Sequence, residues 1–263
     1  MRVLPLRAYT RAMRALGGVP LPPPLREPVL GRVASVMGID LSEAELPLSG
    51  YRTFSDLFVR RLQPGARPVD AAADVLVSPV DGQLTMRGEV CRGCVVQAKG
   101  IDYSLAQLLL DAELAAALDG GQFFTLYLRP KDYHRIHAPV AGRLIRRRTV
   151  GGRLLPVKPY MVRNVGDLLA RNERLWLLLE GELGRVVVVC VAAAGVGTVT
   201  VSPGLEEGAT LEKGQDLAAF NIGSTVIVFA EAGWRLGAEP IALGDEVRVG
   251  QPLARRQRQS VVS

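Results

Sequence analysis

The stretch Ser78-Pro79-Val80-Asp81-Gly82-Gln83-Leu84 decides the fold, because it returns later as Ala138-Pro139-Val140-Ala141-Gly142-Arg143-Leu144. A second pair of similar stretches spans residues 211–218 and 247–254. Each stretch joins two short apolar runs through a turn that contains Gly or Pro. Recurring strand–turn–strand units are typical of antiparallel sheets that stack or close on themselves. The sequence therefore predicts an antiparallel β-sandwich or barrel core with internal hairpin repeats.

Most of the chain continues this pattern. From Val75 onward, short runs of β-branched, aromatic and other apolar residues are separated by Gly, Pro and Asp. The exception is residues 105–118, whose pattern predicts one helix that ends before Gly120-Gly121. The expected fold class is α+β, with a β-rich domain over residues 71–263 that carries the candidate reactive groups.

The first 70 residues are expected to be a separate helical segment, 1–70. On a helical wheel the first helix has an apolar face opposite a basic face. The apolar face comprises Leu6, Tyr9, Met13 and Leu16, and the basic face comprises Arg7, Arg11 and Arg14. This pattern is typical of a helix lying among lipid headgroups, and a cap packed on the β domain is the alternative. We expect a membrane-docking segment.

The composition indicates an anionic partner. The 263 residues include 32 Lys and Arg against 26 Asp and Glu, a net charge of +6, and 48% are hydrophobic, which excludes intrinsic disorder. The longest nearly apolar run, residues 186–199, is too short to cross a bilayer as a helix. Aromatic residues make up only 5%, and no nucleic-acid-binding motif is present. An anionic membrane surface or a phosphorylated substrate is favoured over nucleic acid.

The candidate reactive residues lie on three separate turns. Both histidines of the chain, His134 and His137, fall in one short block, and without a third His no metal site is expected. Asp81 lies in a Pro-Val-Asp-Gly turn, and Ser224 follows Gly223 just before an apolar strand. A carboxylate, an imidazole and a serine are the components of a nucleophilic triad. Because Gly223 has no side chain, the Ser224 hydroxyl can approach the carbonyl that precedes it.

A carrier module is the alternative from another class. The recurring hairpins resemble those of biotinyl and lipoyl carrier domains, which need an exposed lysine at a hairpin tip. The lysine near such a turn, Lys213, lies in the wrong half of the hairpin.

Eight segments follow one another in a characteristic order and spacing, and they span residues 51–62, 64–68, 77–82, 99–105, 132–137, 172–175, 196–199 and 223–225. They include the block Asp132-Tyr133-His134-Arg135-Ile136-His137 and the Gly223-Ser224-Thr225 motif. Together these segments resemble the phosphatidylserine decarboxylase family in its bacterial, type I-like, pyruvoyl-dependent form. The sequence departs from the family pattern in having Ile222 where Leu is usual, Val80 where Ala is frequent, and an unexplained Cys91-Arg92-Gly93-Cys94 loop.

The resemblance implies a proenzyme that cuts itself between Gly223 and Ser224. The products would be a β chain, residues 1–223, and an α chain, residues 224–263, which remain associated. Ser224 would become a covalent pyruvoyl cofactor, with Asp81 and His137 completing the self-processing triad. His134 or His137 is then the expected proton donor in decarboxylation, and His134 is favoured because His137 already serves Asp81.

The same resemblance implies that phosphatidylserine is converted into phosphatidylethanolamine. Arg135 is a candidate for phosphodiester binding, with a surface salt bridge as the alternative role. The alternatives are a pyruvoyl decarboxylase of another amino-headed lipid, or a non-catalytic lipoyl-like relative. Early arginines interrupt any secretory apolar region and three cysteines build no disulfide scaffold, so the expected location is peripheral, on the cytoplasmic side of the cell membrane. A homodimer is left open.

Overall fold

The computed structural model describes residues 6–97, 101–193, 199–220, 224–237 and 241–257. The α-helices in these ranges are α1 (Leu6–Gly17), α2 (Pro23–Met37), α3 (Phe54–Phe58), α4 (Leu105–Leu109), α5 (Ala112–Ala117), α6 (Pro159–Asn164) and α7 (Leu168–Arg171). A short 3-10 helix covers Leu48–Gly50. Among the described helices, none combines the length and the apolar character that a membrane span requires.

Sixteen strands complete the described part of the chain. The first eight are β1 (Val75–Val77), β2 (Gly82–Glu89), β3 (Cys94–Gln97), β4 (Ile101–Ser104), β5 (Gln122–Leu128), β6 (Arg135–His137), β7 (Gly142–Val150) and β8 (Arg174–Gly181). The others are β9 (Gly184–Val191), β10 (Val199–Val201), β11 (Thr210–Leu211), β12 (Asp216–Phe220), β13 (Ser224–Ala230), β14 (Trp234–Leu236), β15 (Glu246–Val247) and β16 (Pro252–Arg256).

The strands pair antiparallel, which confirms the α+β class with antiparallel sheets. One eight-stranded sheet has the order β11-β7-β8-β9-β13-β5-β2-β15. Two three-stranded sheets, β1-β16-β14 and β10-β12-β6, and the hairpin β3-β4 accompany it. The middle strands β9 and β13 are almost wholly buried, which explains why their sequences are continuous apolar runs with no alternation.

The predicted long helix over residues 105–118 is two short helices. Leu110 ends α4 in a left-handed conformation with φ of 50°. Asp111 then caps α5, because its side chain accepts a hydrogen bond of 2.8 Å from the Leu114 amide. The apolar residues of both helices still pack into the main core. The expectation of a single helix was wrong because a capping aspartate restarts the chain in a new direction.

The two recurring stretches have matching main-chain contacts. Ser78 exchanges hydrogen bonds with residues 250–251, and Ala138 exchanges hydrogen bonds with residues 214–215 in the same way. The four partners belong to the second pair of similar stretches, so each copy of one hairpin pairs with a copy of the other. That the hairpins are true repeats stays a prediction, and these contacts support it.

The N-terminal helices have a small core of their own. Six buried residues form a cluster distinct from the main core: Leu30, Ala34, Ile39, Tyr51, Leu57 and Phe58. On α1, Thr10 and Gly17 are buried, whereas Tyr9 is 46% and Leu16 is 68% exposed. Two residues of the predicted apolar face therefore face outward in the described structure.

Gly142, at the start of β7, tests whether close strand pairing holds the large sheet together. A Cβ at this position would lie 2.5 Å from the Glu180 carbonyl oxygen of β8. We expect Gly142→Ala to lower the free energy of unfolding by about 1–3 kcal/mol, because main chain would have to move. Gly151→Ala is the matched control, since nothing lies within 4 Å of its Cβ position. Urea unfolding of both variants measures the difference, and equal stabilities would contradict the expectation.

Candidate active site

Three neighbouring strands of the large sheet end at one edge. Ser224, the first residue of β13, lies opposite Leu128 of β5. This is the last described residue pair between the two strands at that end of the sheet. On the other side of β5, Gln83 of β2 lies opposite Tyr127. Asp81 immediately precedes β2, so it lies two strands from Ser224. Because neighbouring strands are about 4.8 Å apart, the main chains of Asp81 and Ser224 are about 10 Å apart.

The histidine block lies against the same edge. The His137 amide donates a hydrogen bond of 2.8 Å to the Pro79 carbonyl, two residues before Asp81. The Phe220 amide donates one of 3.0 Å to the His134 carbonyl, and Phe220 ends β12 four residues before Ser224. The fold therefore brings Asp81, the histidine block and Ser224 to one end of the sheet.

Asp81 is held by an arginine that the sequence interpretation did not single out. The Arg67 Nη2 atom lies 2.6 Å from the Asp81 Oδ2 atom, and its Nε also donates to this carboxylate. The Val249 amide donates to Asp81 Oδ1 at 2.8 Å, and Glu43 binds the same Arg67 Nη2 at 2.8 Å. These contacts fix the carboxylate in a buried position. Arg67 lies within segment 64–68, one of those that resemble the family, so the sequence pointed to its position. Nothing in the sequence showed that Arg67 binds Asp81.

The His137 ring is bound through both nitrogens. Its Nδ1 lies 2.7 Å from the Gly214 carbonyl, so Nδ1 carries the proton in the neutral ring. Its Nε2 lies 3.1 Å from the Tyr133 hydroxyl and accepts its hydrogen bond. The Gly214 carbonyl, and not Asp81, fixes this tautomer, because Arg67 occupies the Asp81 carboxylate. Asp81 acts on the ring through its charge.

Burial controls the protonation of His137. Desolvation, the largest effect, lowers the pKa of His137, and the charge of Arg135 lowers it as well. The hydrogen bond to the Gly214 carbonyl and the charges of Asp216 and Asp81 raise this pKa. The ring is therefore neutral near pH 7 and can accept a proton at Nε2. Burial also raises the pKa of Tyr133, which keeps the hydroxyl protonated as a donor to that nitrogen.

His134 lies deeper than His137. Its side chain is completely buried, and the Phe58 ring packs on it with centroids 4.1 Å apart. Its Nδ1 lies 2.8 Å from the Asp132 carbonyl, which places the proton of the neutral ring on Nδ1. Burial, opposed by this hydrogen bond, lowers the pKa of His134 to about 3. Its Nε2 is buried and has no hydrogen-bond partner in the described part of the chain.

Ser224 is a buried hydroxyl without a described partner. Its side chain is fully buried, and within the ranges given above its Oγ makes no hydrogen bond. Its neighbours Ile222 and Gly223 lie outside the described residues. Leaving a buried donor unsatisfied is unfavourable. A pyruvoyl group at this position fits the surroundings, because a keto group has no hydrogen to donate.

Two other sequence candidates are bound in ways that limit their roles. Arg135 donates to the Val59 carbonyl at 3.0 Å and forms an ion pair with Asp216. Its guanidinium is thus engaged within the protein, and phosphodiester binding by Arg135 stays a prediction. Lys213, half-buried, donates to the carbonyls of Asp70 and Ala72 at 3.1 and 2.6 Å. A lysine held in this way lacks the exposure that a carrier domain needs.

The recurring stretches differ where the candidate residues lie. The Val77 amide binds the Pro139 carbonyl just as the His137 amide binds the Pro79 carbonyl, so Val77 and His137 are equivalent positions. In the same way Ala141 follows Pro139 and Val140 as Asp81 follows Pro79 and Val80. The two candidate groups are therefore departures from the shared pattern, which supports their functional importance.

Comparison with known proteins shows the family of the chain. The family model of phosphatidylserine decarboxylase matches residues 54–255, and the chain belongs to the phosphatidylserine decarboxylase family. This confirms the resemblance, and with it the expectation of an enzyme of this family. The match begins at α3, before the boundary predicted at residue 70.

Relatives match nearly the whole chain. A phosphatidylserine decarboxylase proenzyme from Anaeromyxobacter sp. strain K is 46% identical over 96% of this chain and 95% of the relative. The proenzyme of Halorhodospira halophila is 44% identical over 84% of this chain and 80% of its own length. That of Xanthomonas campestris pv. campestris strain B100 is 40% identical over 97% of this chain and 96% of its own.

Histidine NMR tests the electrostatics of the site. In uncut Ser224→Ala protein labelled with ¹⁵N-histidine, we expect both rings to be neutral at pH 7 with the proton on Nδ1. His134 should stay neutral as the pH falls to about 4, because its pKa is about 3. Since the unfolded ring titrates near pH 6.5, this group lowers folding stability progressively between about pH 6.5 and 3. The protein unfolded in urea is the control, and protonation of folded His134 near pH 6 would contradict its burial.

Proposed function

We propose that this chain cuts itself between Gly223 and Ser224 and then converts phosphatidylserine into phosphatidylethanolamine with a pyruvoyl group formed from Ser224. One observation carries the proposal: the Ser224 hydroxyl is fully buried without a described partner, at the end of the sheet where the neutral imidazoles of buried His134 and half-buried His137 also lie. A serine in such a place is poorly suited to a structural role and well suited to reaction.

In the proposed self-processing, His137 takes the Ser224 proton at Nε2, the nitrogen that Tyr133 now contacts. The negative charge of Asp81 favours the protonated ring. The Ser224 oxygen attacks the Gly223 carbonyl and the amide becomes an ester. Elimination then releases residues 1–223 with a terminal carboxylate and leaves dehydroalanine at position 224. Hydrolysis of that residue releases ammonia and leaves the pyruvoyl group.

In the decarboxylation, the pyruvoyl group supplies an electron-withdrawing carbonyl that binds the substrate amine. His134 is the proposed proton carrier of this reaction. Because its Nδ1–H is bound to the Asp132 carbonyl, its bare Nε2 must take up a proton before it can donate one. The Phe58 ring, packed against His134, helps to exclude water from the proton transfer.

The two chains produced by the cut are expected to remain associated in one folded unit. The α chain, residues 224–263, would contain β13, which pairs with β5 on one side and β9 on the other. Losing β13 would open the large sheet through its centre. The same chain supplies β16, which lies between β1 and β14.

The proposed location is peripheral, on the cytoplasmic side of the cell membrane, with residues 1–70 as the docking segment. Exposed apolar side chains on α1, on α2 and between them support it: Tyr9, Leu16, Val19, Leu25, Val29 and Val36. Apolar groups that stay uncovered on two consecutive helices can enter the headgroup layer, where anionic lipids attract the basic residues of α1.

Self-processing is tested by the mass of the purified protein. Fragments of 223 and 40 residues are expected, with a keto group in place of the amine on the smaller one. Ser224→Ala should stay uncut, and His137→Asn should slow cutting by on the order of 100-fold or more. Thr125→Val is the matched control, because Thr125 also has a buried hydroxyl without a described partner in the same sheet and should leave cutting unchanged. A wild-type chain that stays intact would end the proposal.

Activity on vesicles separates the remaining alternatives. The cut protein should release carbon dioxide from phosphatidylserine. Faster release of carbon dioxide from another amino-headed lipid would favour a pyruvoyl decarboxylase of that lipid. A self-cut protein without decarboxylase activity would favour a different reaction.

Membrane docking is tested on the helix surface itself. We expect Tyr9→Glu with Leu16→Glu to weaken binding to vesicles of anionic lipid by roughly 10-fold or more, because two exposed apolar groups become charged. Self-cutting should be unaffected, since both residues face outward. Leu110→Glu, which changes a leucine that is 52% exposed between α4 and α5, is the control. Sedimentation with vesicles measures binding, and equal binding by all three proteins would remove α1 as the docking element.

A further inference from the structure

Arg60 is a buried cation whose partner is missing from the described part of the chain. Its side chain is only 4% exposed, and there its Nε and Nη1 atoms are buried without a hydrogen-bond acceptor. Burial lowers the pKa of Arg60, although a guanidinium remains charged in proteins. A buried charge is normally paired, so this guanidinium is available to an anion that the described residues do not supply.

Arg174 shows how the same fold treats an arginine that is purely structural. Arg174 is 2% exposed, and its nitrogens donate to four main-chain carbonyls. The acceptors are the carbonyls of Gln107, Leu108, Ala170 and Asn172. Arg60 is equally buried but has no comparable set of acceptors in the described structure. The difference indicates that Arg60 serves a ligand.

Arg60 lines a cavity of about 210 Å³ at the candidate active site. Arg67 and Tyr133 line both this cavity and a neighbouring one of about 220 Å³ that contains His137. The acidic residues that line the first cavity are Asp40, Glu43, Asp81, Asp132 and Glu246. Each of these carboxylates has a hydrogen bond or an ion pair to a residue other than Arg60. Asp81 acts on Arg60 through its charge, with no ion pair or hydrogen bond between the two in the described structure, so the Arg60 guanidinium keeps hydrogen-bonding capacity for a ligand in the cavity.

The segment that carries Arg60 is fixed against the histidine block. Phe58 packs on the His134 ring, and Arg135 donates to the Val59 carbonyl. The charge of Arg60 is near enough to His134 to lower the pKa of that ring. An anion bound by Arg60 would thus lie beside the proposed proton carrier.

We propose that Arg60 binds the phosphodiester of the aminophospholipid substrate; this inference rests on the function proposed above. The substrate also has a carboxylate, but that group loses its charge as carbon dioxide leaves. A guanidinium on the carboxylate would stabilise the ground state more than the transition state and slow the reaction. The phosphodiester keeps its charge throughout, and its oxygens match the fork of a guanidinium.

A pair of substrates tests the assignment in the self-cut enzyme. Phosphatidylserine has the phosphodiester, whereas an O-alkyl serine ether keeps the amine and carboxylate and lacks the phosphate. Arg60→Met should lower kcat/KM for phosphatidylserine by on the order of 10- to 100-fold, mainly through KM, and leave the ether almost unchanged. Arg185→Gln, at an exposed ion pair with Glu180, is the control for loss of a positive charge. Equal losses on both substrates, or a loss confined to the ether, would overturn the proposal.

Ligand binding and stability keep the test independent of turnover. Glycerophosphoethanolamine should raise the melting temperature of the wild type and not of Arg60→Met, and a similar rise with inorganic phosphate would show that any phosphate anion suffices. If the wild type binds this ligand but decarboxylates neither substrate, the proposed reaction fails while the phosphate site stands. Without ligand, Arg60→Met should melt no lower than the wild type, whereas Arg174→Met should melt lower. A drop for Arg60→Met would show a structural role and overturn the proposal.

Discussion

The pairing of β13 between β5 and β9 is the constraint on which the site depends. It sets Ser224 opposite Leu128 and buries the hydroxyl at the edge of the large sheet. The same pairing would keep the two products of a cut before Ser224 in one molecule. A reaction that breaks the main chain at this point can leave the fold intact because the hydrogen bonds of β13 lie beyond the cut.

The charged groups at this end of the large sheet come from residues that are far apart in the chain. Arg67 joins Glu43 to Asp81, and Arg60 and Phe58 reach the histidine block from the segment that precedes the β-rich part. The division at residue 70 is a prediction that the structure leaves open, but contacts of the candidate site lie on both sides of it. Burial then lowers the pKa of both histidines, so that each is a neutral base near pH 7.

Several features were predictable because they depend on local order. The two recurring stretches indicated antiparallel hairpins, and the apolar run after Gly223-Ser224 indicated the buried strand β13. The break at Leu110 was missed because one left-handed residue and one capping aspartate outweigh a continuous apolar pattern. Tyr133 lies within the histidine block of the sequence, but the residues around it gave no indication that its hydroxyl binds His137.

By itself the sequence determined the antiparallel class and the first helix, and it indicated the candidate reactive groups, since each follows from residue type and spacing along the chain. Only the tertiary structure decided which groups bind each other: Arg67 binds Asp81, and the Gly214 carbonyl binds His137. It also decided that Arg174 has hydrogen-bond acceptors, whereas the equally buried Nε and Nη1 of Arg60 have none in the described structure. The reason is physical. Partners, burial and the resulting pKa values depend on distances between residues that the chain order does not fix.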